Sequence, residues 1–154
     1  MNNEQIAREY FKNGYNCAQS VFLTYAKNYG FDKETALKLS SSFGGGMGRL
    51  REVCGAVSAM FMIAGLESGY TENNNDEIKA KHYELIQNLA NEFKKKNNTI
   101  ICRELLGLEE NQQDSPIPSK RTEQYYQQRP CEEIIADACI ILDKYLGNKK
   151  RLVK

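Results

Sequence analysis

The cysteines are the residues of this chain with the clearest capacity for chemistry. There are five of them, and they are Cys17, Cys54, Cys102, Cys131 and Cys139. Their number is odd and no two of them form a Cys-x-x-Cys pair. In a reducing compartment, such cysteines more often bind metal or react than form a structural disulfide framework. The alternative for any one of them is packing, because free cysteine is buried as readily as a small hydrophobic residue.

A glycine-rich stretch leads directly into one of these cysteines, and residues 43–55 read FGGGMGRLREVCG. Backbone without side chains approaches a site closely and can direct bare amides at an anionic centre. The candidate cofactor-binding residues are therefore Gly44, Gly45, Gly46 and Gly48, which we expect to deliver amides to the Cys54 sulfur. A phosphate loop is disfavoured because that motif follows a strand, whereas a helical pattern precedes the glycines here. A flexible connector between two helices is the other interpretation.

The elements that must position these residues are helices, because the periodicity is helical nearly throughout and there is no internal repeat. The pattern predicts an all-α fold: a single domain over residues 1–154, with about six to seven helices around a central apolar helix. The expected helices cover residues 4–12, 16–29, 32–42, 54–66, 76–96 and 131–146, with a short helix capped by Thr99. The central helix is the one that begins near Cys54. Residues 108–130 hold all three prolines and are expected to form a long loop, broken at most by a short helix near 122–127.

Three of the cysteines fall in or near the first turn of a predicted helix. They are Cys54, Cys102 and Cys131. The first amides of a helix lack internal partners, and the helix dipole adds positive potential, so a thiolate there is stabilised and its pKa is expected to fall. Three arginines lie close in sequence and would act in the same direction, namely Arg49, Arg51 and Arg103.

Composition narrows the classes of partner. A formal net charge of +1 provides no basic field for nucleic acid or anionic lipid. The first residues carry acidic side chains rather than a secretory signal, and the run 53–66 is too short to span a bilayer, so a cytoplasmic protein is expected. The partner should be a redox protein or a small molecule, and a homodimer is left open.

His82, the only histidine, is expected at the surface or half-buried. The Tyr125–Tyr126 pair either touches a ligand or anchors the loop.

Four segments together resemble a known family. These are NCAQSVF around Cys17, the glycines followed by CGAVSA from Cys54, CRELLG from Cys102 and CEEII from Cys131. In this order, over residues 16–135, they resemble the C_GCAxxG_C_C family of redox-active proteins. The resemblance implies that these are the four defining cysteines of a redox site, and that an iron–sulfur centre is one form such a site takes. This chain has Ala59 where the family's CGAxxG motif ends in glycine.

The residues and the resemblance leave three functions open. In the first, Cys17, Cys54, Cys102 and Cys131 form one thiol redox site that cycles between dithiol and disulfide. In the second, the same four cysteines bind an iron–sulfur cluster or zinc. The third is a packing role in an interaction module. For either chemical site the four sulfurs should converge to within about 4 to 8 Å. Cys139 has no counterpart in the family pattern and is expected to pack in the core.

Overall fold

A computed structural model describes residues 1–109 and 114–152, with side chains described to residue 147. The helices in chain order are α1 (Asn3–Lys12), α2 (Cys17–Ala26), α3 (Lys33–Ser41), α4 (Gly55–Ser68), α5 (Asp76–Asn97), α6 (Cys102–Leu105), α7 (Glu123–Gln128) and α8 (Cys131–Leu152). A 3₁₀ turn, Lys27–Tyr29, continues α2, and a helical turn, Gly44–Met47, lies between α3 and α4. The described residues contain no β-strand, so the predicted all-α fold is confirmed.

Two apolar helices, α2 and α4, pack against each other at the centre of the bundle. Helix α2 also contacts α1, α3 and α8, while α4 contacts α5 and α8. From Ser20 to Ala26 every residue of α2 is buried, and α4 is buried from Gly55 to Met60. The predicted central helix therefore shares its position with α2, because both helices are apolar on several faces.

Side-chain caps fix the start of α2 and tie it to α3. Asn16 accepts the Gln19 backbone N–H at 2.8 Å, and the Gln19 side chain returns to the Asn16 backbone N–H, which forms a capping box. The Asn16 side-chain amide donates to the Ser41 carbonyl, and that of Gln19 donates to the Leu37 carbonyl, both at 3.1 Å. The first turn of α2, which begins with Cys17, is therefore held against the end of α3.

A short antiparallel contact joins the segment before α4 to the segment before α6. Val53 and Ile101 form an isolated β-bridge. The Cys54 amide donates to the Ile100 carbonyl at 2.8 Å, and the Cys102 amide donates to the Glu52 carbonyl at 2.6 Å. Each cysteine lies one residue beyond the bridged pair, so side-chain alternation directs both to the same side. Two cysteines far apart in the sequence are thus brought together by backbone hydrogen bonds.

Two predicted helix boundaries or caps differ from the structure. Helix α8 continues past Gly147 to Leu152 instead of ending at Leu146, because one glycine inside a helix costs only about 1 kcal/mol. The N-cap of α6 is Ile101 rather than Thr99, whose hydroxyl instead accepts the Ile101 N–H at 3.1 Å. Helix α7 corresponds to the short helix expected near 122–127. Residues 110–113 of the predicted loop lie outside the described residues.

A helix that crosses a membrane must be long and apolar. Among the described helices, none combines the length and apolar character that a transmembrane span needs.

Candidate functional site

Four cysteines lie at the N-terminal ends of four different helices. Cys17, Cys102 and Cys131 are the first residues of α2, α6 and α8, and Cys54 is the N-cap of α4. The sequence predicted this placement for three of them, and the structure adds Cys17. The shared feature is therefore a helix start, which is fixed locally by caps and turns.

These four cysteines line one cavity of about 430 Å³. Cys54 and Cys102 are buried, with 5% and 8% of their surface exposed, whereas Cys17 and Cys131 are half-buried. All four are free thiols. The cavity thus has two thiols deep in its wall and two that are partly accessible. Its volume is in the range of sites for small molecules.

Backbone amides surround the Cys17 sulfur. It accepts hydrogen bonds from the amides of Ala18, Gly45 and Gly55, which come from three different segments. A methyl group on Gly55 would lie 2.5 Å from this sulfur and 2.7 Å from the Phe43 carbonyl oxygen. The glycine at this position therefore permits α4 to start directly against the thiol.

Burial works against ionisation of most of these thiols. It raises the pKa of Cys17, raises that of Cys54 well above its ordinary value, and raises that of Cys131 to about 12. Charge on a neighbouring thiol raises these pKa values further, because the four sulfurs repel one another when ionised. The expected lowering of the thiol pKa by helix starts is therefore wrong for Cys54 and Cys131. Desolvation outweighs the helix dipole there.

Cys102 has a cation beside it. The Arg51 guanidinium donates to the Cys102 sulfur at 3.5 Å, and only 5% of Arg51 is exposed. The positive charge of this buried guanidinium therefore acts on the Cys102 sulfur at short range. Asp114 holds the arginine in place, since its carboxylate accepts from Arg51 at 2.7 Å and from Arg49 at 3.0 Å.

The glycine-rich turn contacts two cysteines, but not the one that the sequence indicated. Gly45 donates its amide to Cys17, and a methyl group on Gly46 would lie 2.6 Å from the Cys102 Cβ. The amides at Cys54 come instead from Ala56 and Val57 of its own helix. The expected delivery of glycine amides to Cys54 is therefore wrong, because the turn folds back over α2 and α6.

Individual glycines of this turn have different surroundings. Gly44, Gly45 and Gly48 line the cavity, and a methyl group on Gly44 would lie 2.4 Å from the Asn16 side chain. Gly45, Gly46 and Gly48 all have positive φ, a conformation that side chains disfavour. Helix α3 precedes the turn, so the strand that a phosphate loop requires is replaced by a helix.

The segment 114–130 supplies cavity residues that the sequence did not single out. Arg121 and Arg129 line the cavity beside Tyr125, with their guanidinium carbons 5.0 and 5.4 Å from the Tyr125 ring centre. Tyr125 thus lines the cavity, while Tyr126 packs edge-on against Phe11 at 5.7 Å. For the two arginines the sequence offered no signal beyond the length of the predicted loop, because an unpatterned loop reveals no contacts.

Three other residues considered in the sequence lie apart from the cavity lining. Cys139 is fully buried in α8, where its carbonyl accepts the Tyr25 hydroxyl at 3.0 Å. His82 is half-buried and packs edge-on against Tyr70, with ring centres 5.9 Å apart. Arg103, expected near a thiol, donates to the Glu109 carbonyl at 2.7 Å.

A protein site binds a single metal ion only where several ligand side chains converge on one position. Within residues 1–109 and 114–147, no group of three or more histidine, cysteine or acidic side chains is placed to hold a single metal ion. A zinc ion would need four ligands in tetrahedral array, so this arrangement does not fit one. An iron–sulfur cluster needs thiolates spread around a larger body and amides directed at sulfur. The amides at Cys17 and Cys54 satisfy that second requirement.

Comparison with known proteins gives one match. A family model described as "Putative redox-active protein (C_GCAxxG_C_C)" matches residues 15–145, which include all four cysteines of the cavity. No curated protein and no solved structure matches the chain. The family glycine at the end of the CGAxxG motif is replaced here by Ala59, which is fully buried in α4.

Proposed function

Because the chain belongs to the C_GCAxxG_C_C family of redox-active proteins, we propose that Cys17, Cys54, Cys102 and Cys131 form one thiol redox site. The observation that carries this proposal is that all four thiols line the same cavity. Four thiols in one site can store up to two disulfides, and each disulfide formed releases two electrons and two protons to an acceptor.

Cys102 is the thiol that starts the exchange. Attack on a disulfide places negative charge on the attacking sulfur, and Cys102 is the cavity thiol that accepts a hydrogen bond from a guanidinium, that of Arg51 at 3.5 Å. Burial keeps the other three thiols protonated near neutral pH, since it raises their pKa values. They act as resolving thiols, each of which loses its proton as it displaces the leaving thiolate.

Thiol counting under controlled redox potential tests this function. Reduced, metal-free protein is equilibrated anaerobically with mixtures of reduced and oxidised dithiothreitol and, for higher potentials, of reduced and oxidised glutathione, and free thiols are then alkylated and counted by mass spectrometry. We expect two or four thiols to disappear with a defined midpoint, and the disulfide-linked peptides to contain only the four cavity cysteines. A protein that retains five free thiols at every potential would contradict the proposal. Cys139→Ser is the matched control and should leave the titration unchanged.

An iron–sulfur cluster is the second candidate, favoured by the amides at the Cys17 and Cys54 sulfurs. The same four cysteines would be its ligands, and the cluster would supply one-electron transfer. Protein purified without oxygen distinguishes the two candidates. Visible absorbance with bound iron and sulfide, lost on Cys→Ser replacement at any of the four positions, supports the cluster. A colourless protein whose thiols titrate as above supports the dithiol site.

A further inference from the structure

The wall of the cavity carries an excess of positive charge. Its described lining residues include four arginines and no acidic residue. The arginines are Arg49, Arg51, Arg121 and Arg129. Asp114 lies behind the first two and neutralises one charge between them.

Two of these arginines have no acidic partner in the described part of the chain. Arg121 donates to the carbonyls of Phe11 and Tyr15 at 3.0 and 3.1 Å and stacks 4.2 Å from the centre of the Phe11 ring. Arg129 lies over Tyr125. Both are half-buried. Because a partly desolvated cation is costly without a counter-charge, this edge of the cavity favours an anion.

Two of the four cavity thiols, including the attacking one, are also poorly accessible to a protein partner. Cys54 and Cys102 expose 5% and 8% of their surface, and the cavity edge includes Pro116 and Pro118 of the segment after α6. Exchange with a disulfide on another protein would require that disulfide to enter the cavity. A volume of about 430 Å³ instead accommodates a small molecule.

We propose that the oxidant of this site is a small disulfide that carries carboxylates, bound with its negative groups toward Arg121 and Arg129. This substrate class rests on the thiol function proposed above. Cys102 gives up its proton to solvent and its sulfur attacks one sulfur of R–S–S–R. The S–S bond breaks, and R–S⁻ leaves and takes up one proton in return. A second cavity thiol then displaces the remaining R–S group from Cys102 and transfers its proton. The protein loses two electrons and two protons, which appear in two molecules of R–SH.

Three small disulfides of similar size but different charge provide the test. They are 3,3′-dithiodipropionate with two carboxylates, bis(2-hydroxyethyl) disulfide without charge, and cystamine with two ammonium groups. Reduced, metal-free protein is mixed with each probe near neutral pH, and thiol loss is followed by rapid quenching with an alkylating agent. Each rate is divided by the rate of the same probe with free dithiothreitol, which removes differences in intrinsic reactivity. We expect the anionic probe to react at least about tenfold faster than the cationic one, and the neutral probe between them.

Charge-removing variants locate the selectivity. The double variant Arg121→Gln, Arg129→Gln should reduce or abolish the preference for the anionic probe. Lys81→Gln removes an exposed positive charge from α5 and should leave the preference intact. If the double variant does not fold, added salt replaces it, since screening should slow the anionic probe and speed the cationic one on the unaltered protein.

The two proposals fail in different ways. Equal normalised rates for the three probes, or a preference that the arginine replacements leave unchanged, would overturn the anionic substrate while thiol exchange stands. Failure of all three probes to oxidise the cavity thiols, combined with no disulfide in the dithiothreitol titration, would overturn the thiol function itself. Oxidation by oxidised dithiothreitol, itself a small neutral disulfide, without reaction of the anionic probe would overturn the anionic substrate while thiol exchange stands.

Discussion

Two glycines of α4 should respond in opposite directions to the same substitution. Gly65 lies inside the helix, and a methyl group there would meet no atom within 4 Å. Alanine has the higher helix propensity, so Gly65→Ala should stabilise the protein by about 0.5 to 1 kcal/mol. Gly55 begins the same helix, but its methyl group would lie 2.5 Å from the Cys17 sulfur and 2.7 Å from the Phe43 oxygen.

The cost at Gly55 follows from what must move. Both distances are about 1 Å shorter than van der Waals contact, and one partner is backbone whose carbonyl also accepts the Met47 amide at 3.2 Å. Overpacking of this kind typically costs about 1 to 3 kcal/mol. At roughly 2 to 4 °C per kcal/mol for a chain of this size, Gly55→Ala should lower Tm by about 2 to 12 °C. Gly65→Ala should raise it slightly.

Urea unfolding of both variants, reduced and free of metal, measures these free energies. Native-state alkylation of Cys17 gives an independent measurement, since displacement of its sulfur from the surrounding amides should change its rate in Gly55→Ala and not in Gly65→Ala. Equal stability changes in the two variants would refute the close approach between α4 and Cys17. The steric reasoning would likewise fail if Gly55→Ala stabilised the protein.

Three further predictions follow from particular contacts. Gly46→Ala should be less stable than Gly48→Ala by about 1 to 3 kcal/mol in urea unfolding. Both residues have positive φ, but only a methyl group at Gly46 would overlap neighbouring atoms. Equal free energies of unfolding for the two variants would contradict this. Cys139→Ala should cost about 1 kcal/mol at pH 7 and leave thiol oxidation unchanged. Burial raises the pKa of Cys139 to about 12, whereas the thiol of the unfolded chain has a pKa of about 8.5. The stability that the protonated thiol contributes is therefore complete below about pH 8.5 and is lost as pH rises toward 12. The cost of the variant should shrink between about pH 7 and pH 10, and a constant cost would refute this. Hydrogen bonds from two arginines lower the pKa of Asp114 to about 2. Its stabilising contribution should therefore be present above about pH 4 and disappear as pH falls toward 2. The urea midpoints of Asp114→Asn and of the unaltered protein should converge over that range, and an undiminished difference at about pH 2 would contradict the ion pair.

The sequence by itself determined the helices and the candidate cysteines. Helical periodicity depends on residues three and four positions apart, and caps such as Asn16 depend on partners within one turn, so both can be recognised without tertiary structure. The same local signals predicted that Cys54, Cys102 and Cys131 lie at helix starts. The two errors arose at weak local signals: the last helix continues through Gly147, and the N-cap of α6 lies at Ile101, two residues after Thr99.

Tertiary structure decided which groups meet at the cysteines. The Cys17 sulfur receives an amide from Gly45, and Cys102 receives a guanidinium from Arg51, across distances in the chain that no local pattern encodes. The direction of the thiol pKa shifts also required the packed structure, because desolvation depends on every segment that covers a sulfur, whereas a helix dipole acts within its first turn. The charge of the cavity has the same origin. Arg121 lies in an unpatterned segment, and only folding brings it against Phe11 and the cavity that the four helix starts form.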